Sequence, residues 1–162
     1  VINQAKASGI CFFPYLNGSN PPHAKNDIQA LFLGLRSSHT ADDMLQSVYE
    51  GVCYEMRWIY EQAAKSFSLP DQRIVVSCGG NTDRALLQRK ANITGKPLLI
   101  PTMDEATMLG CAAVVGVSLK QQNDSDLIEP DMQMHAIYDA LFNEQYAPMI
   151  TLMNEQRSMR NV

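Results

Sequence analysis

The sequence predicts an α/β domain, a layer of strands with helices packed on it, and not a helical bundle. Three observations carry this. Residues 73–119 run in the order strand, turn, helix, strand, helix, which is the pattern of an α/β layer. Two longer stretches, beginning at Thr40 and Asp131, repeat apolar residues at three- and four-residue steps, the mark of amphipathic helices. The chain is 162 residues long with 46% apolar and 19% charged residues, enough to bury one core.

The elements follow in order. Residues 10–16 form an apolar, aromatic run that predicts a buried strand. Residues 17–27 are a loop, broken by Gly18, Ser19, Pro21 and Pro22. Residues 30–35 predict a second short strand ending near Gly34. Thr40 and Asp43 fit a box-like N-cap for a long helix. Its expected buried face is Met44, Leu45, Val48, Tyr49, Val52, Cys53, Met56, Ile59, Tyr60 and Ala63. Residues 68–71, with Pro70, end it.

Residues 73–77 are β-branched and apolar, a core strand. Residues 78–81 turn the chain, residues 82–92 form a helix that stops near Gly95, and residues 96–101 form another strand. Thr102 and Glu105 make a capping box for a helix over residues 105–119, whose small residues suit close packing. Residues 121–126 are polar and read as a loop. Residues 131–155 form the last helix, and residues 157–162 a fraying tail.

Composition narrows the function. The net charge is −4 with no long basic run, so nucleic acid is not an expected partner. No run of about 18 apolar residues exists, so no membrane span is expected. Cys11, Cys53, Cys78 and Cys111 are widely spaced and form no C-x-x-C, and His23, His39 and His135 are scattered. No metal site is therefore expected, and the cysteines read as reduced thiols packed as small hydrophobes in a cytoplasmic protein. The N-terminus is no signal peptide and lacks Met, which suggests a piece of a longer protein, with processing as the alternative.

The best candidate site is the turn at Gly79 and Gly80, between a strand and a helix. Glycine allows a close backbone approach to a ligand, and the free N–H groups at the start of the next helix suit an anion. Arg84, Arg89 and Lys90 add positive charge. A tight connection with no ligand explains the same residues equally well. The spacing is neither a P-loop nor a dinucleotide fingerprint. Glu50 sits among apolar neighbours and reads as a satisfied structural carboxylate; Asp42, Asp43 and Glu55 read as a cap and a solvated face. No catalytic triad or dyad can be assembled from spacing, so the chain offers no catalytic residue.

Three stretches together resemble the C-terminal domain of the FGGY carbohydrate kinases. The first is Phe13-Pro14-Tyr15-Leu16-Asn17-Gly18. The second holds Phe32, Gly34-Leu35, Asp43-Met44 and Ser47-Val48-Tyr49-Glu50. The third holds Gly79-Gly80-Asn81, Gly95-Lys96-Pro97, Glu105 and Leu109-Gly110-Cys111-Ala112-Ala113. The loop containing Gly18-Ser19-Asn20 looks most like that of the xylulokinase side, the L-xylulose kinases in particular.

The resemblance implies an actin-like, ribonuclease H-like lobe of a two-domain kinase. Such kinases move the γ-phosphate of ATP, with Mg2+, to a sugar hydroxyl, here a pentulose such as xylulose. It implies that Gly79, Gly80 and Asn81 lie against the nucleotide, ATP or ADP, and that Arg84 contacts it. Residues 1–162 are then the C-terminal domain alone, inactive by itself, because the family's phosphate turn, sugar site and catalytic Asp lie in segments before Val1. A part-domain with an open apolar face also allows a homodimer. The family's Pro-His-Trp-Asp and Ala-Arg-Gly loop reads Pro22-His23-Ala24-Lys25 and Ile28-Gln29-Ala30 here, without Trp, Asp or Arg. That departure keeps a second expectation open: a non-enzymatic, actin-like regulatory or interaction domain.

Overall fold

Among the described residues, aromatic and aliphatic side chains build two small sheets. In the first, β1 (Cys11–Phe13) pairs antiparallel with β2 (Leu31–Leu33). Phe12 stands opposite Phe32, their rings 4.5 Å apart, a cross-strand aromatic pair. In the second, β3 (Ile74–Val75) is parallel to β4 (Leu98–Pro101), and β5 (Ser125–Ile128) is antiparallel to β4. The computed structural model describes residues 6–19, 28–67, 74–76, 83–101, 106–116 and 125–155.

The helices are α1 (Ala41–Ser66), α2 (Arg84–Thr94), α3 (Ala106–Val114), α4 (Met132–Leu141) and α5 (Ala147–Glu155). Thr40 caps α1 as expected. Its hydroxyl accepts from the Asp43 N–H, and the Asp43 carboxylate accepts from the Thr40 N–H. The α4 and α5 segments are one helix interrupted by a π-helical turn, Phe142–Tyr146. There the Ala147 N–H reaches back five residues to the Phe142 carbonyl. Pro148 follows and has no N–H to give, so the ladder must be broken at this point.

Two cores result. The larger joins β1, α1 and the last helix through Phe13, Tyr15, Cys53, Tyr54, Trp58, Tyr138, Phe142 and Tyr146. Phe13 stacks on Tyr146 at 4.5 Å. The smaller packs Leu87 and Ala91 of α2 on Leu98 and Ile128 of the second sheet.

Four expectations need correction. Residues 125–126, expected in a loop, begin β5. Residues 121–124, 17–27 beyond Ser19, the cap at Thr102 and Glu105, and the tail lie outside the described residues. The expected buried face of α1 is only partly covered among the described residues, with Val48, Tyr49, Met56, Ile59, Tyr60 and Ala63 half-buried. Cys53 is buried, but Met44, Leu45 and Val52 are exposed, and the inward side carries Gln46, Ser47, Glu50, Gly51, Tyr54, Glu55, Arg57 and Trp58. Helical periodicity finds a stripe but does not say which neighbour covers it. Glu55 is buried and not on a solvated face, because Tyr15 and Tyr146 both donate to it. The small residues of α3 are not packed closely among the described residues: Gly110, Cys111 and Ala113 are exposed, and Met108 and Val114 are 68% and 88% exposed.

Candidate functional site

β3 is parallel to β4, and the chain next enters α2 at Arg84. The residues between them therefore follow the carboxyl end of a parallel strand, the end at which open α/β sheets bind ligands. The Val76 N–H bonds the Leu99 carbonyl at 3.0 Å, which holds the exit of β3 against β4. Gly79, Gly80 and Asn81 lie outside the described residues, and Asp83 and Arg84 are the first described residues beyond them.

The start of α2 is already engaged. The Asp83 carboxylate accepts from the N–H groups of Ala85 and Leu86, at 2.9 and 3.3 Å. Two donors expected to be free for an anion are thus held by an N-cap. Arg84 is the first residue of α2, and its side chain is 72% exposed. Its Nη2 donates to Oδ2 of Asp126 on β5 at 2.5 Å.

Arg89 does not add charge to this turn. It is 4% exposed, and its Nε lies 4.0 Å from Oε1 of Glu50. Helical geometry explains the difference, since Arg84 and Arg89 are five residues apart and point to different sides. Lys90 is half-buried.

Glu50 is fully buried and satisfied. It accepts from the Ser8 N–H and hydroxyl, from Gln46 Nε2 and from the Tyr138 hydroxyl. Burial first, then the Glu50 charge, pushes the Tyr138 hydroxyl well above its ordinary pKa. Arg57 plays the matching structural part for the last helix. It donates to the Ile93 carbonyl at 3.1 Å and to Asp139, and its guanidinium lies 4.1 Å over the Phe142 ring. An open apolar groove of about 680 Å3, lined by Lys6, Ala7, Gly9, Ile137 and Leu141, contains none of the expected site residues.

The model of the FGGY family of carbohydrate kinases, C-terminal domain, matches residues 3–119. The chain belongs to this family.

A probable L-xylulose kinase of Pasteurella multocida is 32% identical in an alignment of 157 positions that covers 93% of this chain and 31% of that protein. The chain therefore spans about a third of that relative's length. The crystal structure of a gluconate kinase from Lactobacillus acidophilus superposes with a TM-score of 0.76 at 21% identity, covering 94% of this chain and 33% of that one. A glycerol kinase from Plasmodium falciparum, solved with ADP, superposes at 0.68 with 14% identity, covering 89% and 31%. These two neighbours show the fold, the actin-like one of the FGGY kinases.

In this FGGY chain the structure brings Arg84 and Asp126 together, and it places Arg89 beside Glu50 instead. Asp126 was missed from sequence because Leu127 and Ile128 are too short an apolar run to mark a strand. Among the described residues no group of three or more His, Cys, Asp or Glu could hold a metal ion, and no helix is long and apolar enough to cross a membrane.

Proposed function

We propose that this chain is the C-terminal domain of an ATP-dependent sugar kinase, and that Gly79, Gly80, Asn81 and Arg84 form one wall of its nucleotide site. The observation that carries the reading is Arg84, a well-exposed guanidinium at the first position of α2, which in the sequence follows Gly79-Gly80-Asn81 after the parallel strand β3. A phosphate there would meet the guanidinium and the positive end of the helix dipole. Mg2+ would arrive on the nucleotide and spread the charge of the transferring phosphoryl group.

The remaining two thirds of such a kinase would supply the phosphate turn, the catalytic Asp and the sugar site. Apolar side chains left exposed among the described residues support a domain that is covered by more protein: Leu45, Val52 and Met44 of α1, and Met108 and Val114 of α3. Phosphoryl transfer needs groups from both sides of the cleft, so this chain alone binds and does not catalyse.

The proposed acceptor is a pentulose, with xylulose first, because an L-xylulose kinase relative matches nearly the whole chain. The proposed setting is the cytoplasm, where ATP and sugars meet. A phosphotransfer assay of the full-length protein with MgATP and a panel of pentuloses, gluconate and glycerol tests this. Turnover on a pentulose above the others is expected. No turnover on any acceptor would favour a regulatory actin-like domain, and turnover on gluconate or glycerol alone would overturn the pentulose.

A further inference from the structure

Arg84 does not wait with its charge unengaged. Asp126 lies on β5, held there by the antiparallel ladder that sets it opposite Ile100 of β4. Its carboxylate takes the Nη2 donor of Arg84. Asp83, the carboxylate next to Arg84 in the chain, is occupied by the backbone N–H groups of Ala85 and Leu86. Within the first turn of α2 Arg84 is the only basic residue. Asp126 also lies beyond residue 119, where the match to the family model ends.

We propose that Asp126 is a resident anion on Arg84, and that a nucleotide phosphate must compete with it, so that Asp126 sets the affinity of the nucleotide site. The proposal deepens the nucleotide reading of Arg84 and rests on it. The geometry fits a competitor better than a permanent structural pair. The two side chains are 72% and 59% exposed, so an incoming phosphate can reach the guanidinium. Exposed ion pairs are weak, and a phosphate oxygen is a strong acceptor for the same N–H groups. A carboxylate beside the phosphates also repels them. Asp126 acts through Arg84 and is a positioning residue, not a catalytic one.

Isothermal titration of the full-length protein with MgADP, and with adenosine as a probe without phosphate, tests this in wild type, Asp126→Asn, Arg84→Gln and the double variant. Asp126→Asn is expected to tighten MgADP about two- to fivefold at low salt, the range that exposed pairs span. The gain should shrink at high salt, leave adenosine unchanged and vanish in the Arg84→Gln background. Unchanged or weaker MgADP binding in Asp126→Asn, with Arg84→Gln weakening it, would overturn the competition while leaving the Arg84 contact in place. An equal gain with and without Arg84 would also overturn it, since Asp126 would then act as general charge. No effect of Arg84→Gln on MgADP would remove the nucleotide reading of Arg84 and this proposal with it.

Discussion

The Tyr138 hydroxyl donates to Oε1 of Glu50 across 3.1 Å, tying the last helix to the middle of α1. Ser8 and Gln46 complete the shell of that carboxylate. Truncating Glu50 leaves four donors without their acceptor in the core. Glu50→Ala should cost about 3 kcal/mol or more, and Tyr138→Phe about 1 kcal/mol. Urea unfolding of each variant measures both, and the larger loss must belong to Glu50.

Arg57 and Asp139 make stability depend on acid. The hydrogen bond from Arg57 is the main cause that holds the Asp139 carboxyl below its ordinary value of 3.8. A carboxyl depressed in the folded state stabilises above its unfolded value and loses that contribution as pH falls through its folded one. Its side chain is 41% exposed, so solvent screening keeps the effect below about 1 kcal/mol. Stability should fall as pH drops below about 4, and Asp139→Asn should fall less over the same interval. Thermal melts across acid pH compare the two.

Burial sets the cysteine chemistry. Burial pushes the Cys11 and Cys53 thiols up to about 12, so neither is ionised near neutrality. Cys111 is exposed on α3, contrary to the expectation that every cysteine packs inside. Iodoacetamide on the folded chain should therefore alkylate Cys111 and spare Cys11 and Cys53, with all three modified after denaturation. Peptide mass spectrometry reads this directly.

Gly95 closes α2 in the left-handed region at φ +65°, and a Cβ there would run into the His135 ring. His135 is itself fixed by a 2.9 Å hydrogen bond between its Nδ1 and the Asn92 carbonyl. Gly95→Ala should destabilise by roughly 1–3 kcal/mol through strain and clash together. In a His135→Ala background Gly95→Ala should cost less than in wild type, because only the strain remains, and urea unfolding of the two single variants and the double variant measures the difference.

Much of the fold was legible because its signals are local. The Thr40–Asp43 box, the Gly95 stop and the apolar runs of β1, β2 and β4 each act within a few residues. What was not legible depends on distant neighbours. The inward turn of the polar side of α1 depends on Ser8, Tyr15, Tyr138 and Tyr146, which meet Glu50 and Glu55 only in the folded chain. Asp126 is a functional candidate only because β5 brings it to Arg84, 42 residues away. The candidate turn itself was read from Gly79 and Gly80 and from family resemblance, and Arg84 is the member of that set whose geometry is described.

The central claim, that the turn before α2 is a nucleotide wall, is tested most directly by titrating the labelled protein with ADP and following backbone amides. The account predicts shifts concentrated at residues 79–84, with Arg84 among them and Asp126 responding as its partner is engaged. Amides of 79–84 that stay still at millimolar ADP, in a protein whose other resonances report an intact fold, would contradict it.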